Sequence, residues 1–118
     1  MIVYLHNKCS TCQKAVDFLE KNKIVFTVKN IVTDPPSVKE LEKMLHFQNG
    51  KLSKLLNTSG LLYREMNLSK KLPDLTVDEV LTLLSTHGML VKRPFLLTDS
   101  SGFVGFKESE WEKVFQSD

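Results

Sequence analysis

Arginine is nearly absent from this sequence. Of 16 basic residues, only Arg64 and Arg93 carry a guanidinium. A guanidinium fork suits a tetrahedral oxyanion better than an ammonium, so a site built for such an anion has few residues to draw on. An excess of either charge is missing too. The 16 basic and 14 acidic side chains leave a formal charge of +2. That balance carries no polyelectrolyte signal, and no direct contact with nucleic acid is expected. No apolar run approaches the roughly 20 residues of a membrane span, so no membrane partner is expected either. The opening MIVYLH has no basic leader, and its apolar run breaks at His6 and Asn7, unlike a signal peptide. The chain is therefore expected to be cytoplasmic, where stable structural disulfides are rare. Repeats, low-complexity segments and interdomain linkers are absent as well. The 118 residues fit one domain, expected as a monomer.

Cysteine is equally scarce, and both residues lie in one place. Cys9 and Cys12, in the stretch 8–15 (KCSTCQKA), are the whole complement. A structural zinc site needs four ligands, yet no second CxxC exists and His6, His46 and His87 show no H-x₃₋₅-H spacing. Neither a metal nor a bound cofactor is expected. What remains is a pair of thiols that only packs, or a redox couple.

Residues 1–5 (MIVYL) are apolar and rich in β-formers, which predicts a buried strand. From Thr11 the pattern turns helical, with Ala15, Val16, Phe18 and Leu19 on one face, and it closes at Asn22 and Lys23. Residues 24–28 (IVFTV) read as a second strand, and a crossover of this length suits parallel pairing. After Pro35 and Pro36, Ser37 with Glu40 forms a capping box for a helix to about Phe47, stopped by Asn49 and Gly50. Leu52, Leu55 and Leu56 suggest a short helix, and residues 63–68 another turn or two, with His46 and His87 at helix ends and Arg64 on an exposed face. Thr76 with Glu79 opens a further helix that runs to His87 and Gly88. Strand character returns at 89–91 and leads through Arg93 and Pro94 into 95–98 (FLLT), which makes a hairpin with 103–106 (FVGF). Residues 108–115 form a terminal helix with Trp111, Val114 and Phe115 inward.

The order is β-α-β, a helical block, then β-β-α. It predicts an α/β, thioredoxin-like fold with a mixed four-stranded sheet, a core formed by 1–34 and 89–118, and a helical insertion at 35–88. The CxxC then falls between the first strand and first helix, where such folds carry a redox pair. A thiolate on Cys9 would be stabilised by the free amides and dipole at the helix N-terminus, with Lys8 and Lys14 adding positive charge. Cys12 follows about one turn later, so Cys9 is the expected attacking thiolate and Cys12 the resolving thiol.

The sequence resembles the arsenate reductase-like (ArsC/Spx) branch of the thioredoxin superfamily over nearly its whole length. The resemblance rests on YLHNKCSTCQKA, the PPS before the helical block, NTSGLLYREMNL, MLVKRPFLLT and VGFKESEW. It implies that Cys9 is the nucleophile, that Pro94 is cis, and that Arg93 before it holds an anion, aided by helix amides near Ser10, Thr11 and Cys12. Departures from the pattern are specific. Asn57 stands near the position of a second arginine, Lys107 replaces a third, and Gln13 replaces an arginine soon after the cysteine loop. His6-Asn7 lies one residue closer to the cysteine than the matching pair does.

The expected function is thus that of a thiol–disulfide oxidoreductase resembling glutaredoxin-coupled arsenate reductases. Cys9 and Cys12 would form its redox-active disulfide, with Ser10, Thr11, Asn57, Arg93 and Lys107 as anion-binding candidates. Glutathione with glutaredoxin, or thioredoxin, would supply electrons. The alternative implied by the resemblance is an Spx-like redox-switched regulator that binds the C-terminal domain of the RNA polymerase α-subunit. Gln48-Asn49-Gly50 is similar to the loop near that contact, although the same residues also read as a helix stop.

Overall fold

The computed structural model describes residues 1–115. Its centre is strand β1 (Ile2–Leu5), whose side chains alternate between two hydrophobic clusters. Val3 and Leu5 face one cluster, Ile2 and Tyr4 the other, as the two-residue period of a strand requires. β1 pairs in parallel with β2 (Thr27–Asn30) and antiparallel with β3 (Phe95–Leu97). β3 pairs antiparallel with β4 (Gly102–Val104), giving a four-stranded sheet of order β2-β1-β3-β4.

One face is covered by α1 (Ser10–Lys21) and α6 (Glu108–Phe115). Here Val3, Ala15, Phe18, Leu19, Leu96 and Trp111 are buried. Trp111 meets Phe106 edge-on at 4.8 Å and Phe18 at 5.9 Å between ring centroids, a geometry that aromatic quadrupoles favour. The other face carries α2 (Val38–Phe47), α3 (Leu61–Glu65), α4 (Leu68–Lys71) and α5 (Val77–Thr86), joined by 3-10 turns. Both expected capping boxes form, at Ser37 with Glu40 and at Thr76 with Glu79. The first also ties α2 to the sheet: the Tyr4 hydroxyl donates to Glu40 Oε1 at 2.7 Å, and the Ser37 amide donates to the same oxygen at 2.9 Å. Burial, followed by the adjacent carboxylate, pushes the Tyr4 pKa up and keeps its hydroxyl a donor. Burial opposes the charge on Glu40, but bonds from the Ser37 amide, Tyr4 and the Ser37 hydroxyl outweigh it and hold the carboxyl below its ordinary value.

Several boundaries differ from the sequence expectation. The second strand is 27–30, not 24–28. Lys23 takes a left-handed φ of 56°, and the Ile24 amide donates back to the Leu19 carbonyl at 3.0 Å to close α1. Ile24 and Phe26 then pack into the α1 cluster, and pairing with β1 begins only at Thr27. The expected strand 89–91 is a 3-10 turn (Gly88–Leu90), with a single bridge from Val91 to Leu56. The Leu90 and Val91 amides bond locally to His87 and Gly88 carbonyls and are not free for a ladder. The last strand ends at Val104, because Gly105 turns the chain at φ 76°. Val114 is 42 % exposed, so α6 buries Trp111 and half-buries Phe115 alone. Among the described residues, no helix is long and apolar enough to cross a membrane.

Gly88 lies where the backbone before α2 meets the chain leaving α5. A Cβ there would fall on the Ile31 carbonyl, with Pro35 Cβ 3.3 Å away. Neither obstacle is a flexible side-chain end. Gly88→Ala should cost about 2–4 kcal/mol, read as a lowered urea midpoint at unchanged m-value. An unaltered midpoint would contradict this packing.

Candidate active site

The site begins where β1 ends. The chain turns through His6, Asn7 and Lys8, and Cys9 becomes the N-cap of α1 with extended backbone (φ −102°, ψ 115°). An N-cap side chain ordinarily accepts an amide of the first helical turn through oxygen. Here sulfur takes that place: the Cys12 amide donates to Cys9 Sγ at 3.2 Å. The first turn of α1 contains no acidic residue, so nothing there opposes a negative charge on that sulfur. Ser10 and Thr11 are exposed in the same turn.

Cys9 is half-buried, whereas Cys12 is buried. Burial pushes the Cys12 thiol from an ordinary 9.0 up to about 12, reinforced by its hydrogen bond to the Cys9 side chain. A hydrogen bond from the His6 backbone and the Arg93 charge pull the other way. The pair is thus asymmetric. One sulfur is reachable and receives an amide, and the other is kept protonated behind it. His6 Nδ1 accepts the Lys8 amide at 3.2 Å, and the Cys9 amide donates to the His6 carbonyl at 3.2 Å, which fixes the loop.

The Arg93–Pro94 peptide bond is cis. Pairing of Tyr4 with Phe95 puts Pro94 next along the ladder, beside the end of β1 from which the cysteine loop departs. Arg93 is half-buried, and its Nη1 is buried with no hydrogen-bond partner among the described residues. A buried donor left unbonded is costly, which is a physical reason to look for an anion there.

The remaining anion candidates do not line the cavity beside the cysteines. The Asn57 backbone amide donates to the Leu90 carbonyl at 2.8 Å, and its side-chain Oδ1 accepts from the Ser59 hydroxyl at 3.5 Å. Lys107 lines a separate cleft of about 300 Å³ with Lys54, Lys92 and Thr58. Gln13 spends its amide on Asp17 Oδ1 at 2.9 Å.

What sequence reasoning missed is the cavity beside the two thiols. It measures about 210 Å³ and lies between the first turns of α1 and strand β2, with Cys9, Cys12, Leu5, Val16, Val28 and Asn30 among its lining residues. Its β2 wall is built by Val28, set opposite Val3 on the α1 side, and by Asn30, which lies beyond the expected strand end at residue 28. Among the described residues no cluster of His, Cys, Asp and Glu is placed to hold a metal ion.

The ArsC family model matches residues 4–114. The uncharacterized Bacillus subtilis protein YusI is 41 % identical over 110 residues, spanning 93 % of each chain. The global transcriptional regulator Spx 2 of Bacillus anthracis is 27 % identical, over 96 % of this chain and 85 % of its own. Among solved structures, a Bacteroides fragilis protein related to the ArsC family superposes with a TM-score of 0.89 at 44 % identity, covering 96 % and 95 % of the two chains. A possible arsenate reductase of Streptococcus mutans superposes with a TM-score of 0.85 at 32 % identity, covering 94 % and 96 %.

The asymmetry of the pair has a direct readout. Iodoacetamide at pH near 8 should label Cys9 and spare Cys12 in the reduced protein. In Cys9→Ser, labelling of Cys12 should stay slow until the pH is well above 9.0, the ordinary thiol value, because burial rather than Cys9 is the larger cause of its shift. Equal labelling of the two thiols at neutral pH would refute this assignment.

Proposed function

The chain belongs to the ArsC family, and from that premise we propose that it is a thiol–disulfide oxidoreductase in which Cys9 attacks and Cys12 resolves. The observation that carries this reading is the Cys12 amide on the Cys9 sulfur at a helix N-terminus, with the Cys12 thiol held protonated one turn on. A partly exposed thiolate attacks; a buried thiol waits.

In the chemical sequence this supports, the Cys9 thiolate attacks one sulfur of a substrate disulfide. The S–S bond breaks, and the first substrate sulfur leaves as a thiolate that takes up a proton. Cys12 then gives up its own proton and attacks Cys9 Sγ, releasing the second substrate thiol and leaving a Cys9–Cys12 disulfide. Two electrons have passed from the protein to the substrate. A dithiol donor, thioredoxin or glutathione with glutaredoxin, would return them. Arg93 contributes at the resolving step, because its charge already lowers the cost of a thiolate on Cys12. Arsenate fits less well. Arg93 is the one guanidinium whose charge is felt at Cys12, Gln13 is engaged with Asp17, and Lys107 lines a cleft with Lys54 and Lys92.

A second reading, a redox-switched regulator, is supported by the long alignment with Spx 2 and by the turn that ends α2. Asn49 (φ 59°) and Gly50 (φ 75°) turn the chain there, and a Cβ on Gly50 would meet nothing within 4 Å.

Reduction of a test disulfide under thioredoxin or glutaredoxin recycling separates the two. Cys9→Ser should abolish turnover, and Cys12→Ser should stall as a mixed disulfide on Cys9. Arg93→Ala should slow resolution about ten-fold or more, the scale of one lost charge-assisted interaction, with partial rescue by Arg93→Lys. Turnover by Cys9→Ser at the wild-type rate would sink the enzyme reading. Redox-dependent capture of the C-terminal domain of the polymerase α-subunit, without any turnover, would favour the regulator.

A further inference from the structure

The cavity beside Cys9 has a chemical character that differs from an oxyanion site. Its apolar wall is Leu5, Val16 and Val28, and its polar groups include the uncharged amides of Asn7, Gln13 and Asn30. Lys29 is the one lysine or arginine on that wall, and strand alternation sets its side chain on the face of its partner Tyr4, opposite to Val28. Its Nζ lies 3.8 Å from the Asp34 carboxylate and 5.8 Å from the centre of the Tyr4 ring. His6 also lines the cavity, but its Nδ1 is taken by the Lys8 amide. Arg93 is not among the lining residues. An anion entering here would lose water without gaining a free cation, an unfavourable exchange, whereas an apolar group would gain by leaving water.

The apolar character continues outside the cavity. β2 is an edge strand, and Val28 (52 % exposed), Val25 (90 %) and Val32 (46 %) lie on or beside it. Val28 lines the cavity and is itself half exposed, so the cavity opens at this strand edge. The unpaired backbone of an edge strand also offers hydrogen bonds to an extended chain.

We propose that the substrate bound at Cys9 is a cystine disulfide within an uncharged, apolar peptide segment, seated in the cavity between α1 and β2 and along the β2 edge. This rests on the thiol–disulfide reading above and adds its substrate class. The step balances within the protein: the reduced Cys9–Cys12 pair gives two electrons and two protons, the peptide disulfide becomes two thiols, and the protein disulfide forms.

The test is a single turnover with pre-reduced protein and no added reductant, followed by mass as the loss of two hydrogens. Probes are the disulfide dimers of a blocked Val-Cys-Val peptide and a blocked Asp-Cys-Asp peptide, together with bis(2-hydroxyethyl) disulfide and arsenate. Each rate is normalised to iodoacetamide alkylation of Cys9 in the same protein. The Val peptide should react at least about ten-fold faster than the Asp peptide, and faster than either small oxidant. Val28→Lys, at an exposed position, should narrow the Val-to-Asp ratio about three-fold or more by supplying the missing cation. An equal or faster Asp peptide, or a ratio unmoved by Val28→Lys, overturns the proposal. Bis(2-hydroxyethyl) disulfide matching the Val peptide overturns the peptide as occupant. Arsenate reacting fastest overturns the substrate class. If no disulfide reacts while Cys9 still alkylates, the thiol–disulfide reading itself fails, and this inference with it.

Discussion

β1 is the constraint on which the other elements depend. It is paired on both edges, in parallel with β2 and antiparallel with β3, and its side chains feed both hydrophobic clusters. A strand so placed cannot slip by one residue without moving Val3 and Tyr4 to the wrong sides. Its end is therefore fixed, and so is the loop that leaves it. That loop brings Cys9 to the N-cap of α1, while the same register carries Pro94 to the neighbouring rung. Ala15, Phe18 and Leu19 press α1 onto this face, so the helix N-terminus cannot drift from the strand end. The cysteine loop is largely exposed, but the elements on both sides of it are packed into the sheet and its cluster.

Two different environments meet at the thiols. Towards β3 lie Arg93, whose Nη1 is buried and unbonded among the described residues, and the cis peptide. Towards β2 lies a largely apolar cavity whose one lysine, Lys29, shares the opposite sheet face with Tyr4. An anion belongs on the first side and an uncharged group on the second. Under the proposed exchange, a thiolate forming on Cys12 would be such an anion, and an approaching organic disulfide such a group. On the proposed thiol–disulfide reading, this division would let one arginine, Arg93, serve the thiols without a full oxyanion cradle.

Sequence signals are legible here where the chemistry is local. Ser37 with Glu40 and Thr76 with Glu79 cap their helices because a hydroxyl and a carboxylate three residues apart need nothing else. The position of the cysteines between strand and helix follows from two clear periodicities. Contacts distant in sequence are what local patterns miss. Ile24 and Phe26 are good strand formers, yet they close α1 and fill its cluster, which delays β2 and conceals the cavity wall. Residues 88–90 form a 3-10 turn because Gly88 is pressed against Ile31, a contact across more than fifty positions that no local pattern announces. Asn57 and Lys107 are plausible anion ligands by family position alone. Where their side chains lie depends on how the 3-10 turn before Asn57 and the loop after β4 pack, information absent from residue type.

The reduction potential of the Cys9–Cys12 couple, measured against a glutathione or dithiothreitol buffer, bears most directly on whether these thiols cycle. A working exchanger should lie between about −200 and −280 mV, the span of cellular dithiol carriers; a value well below about −300 mV, typical of structural disulfides that stay oxidised, would contradict a catalytic role for the pair.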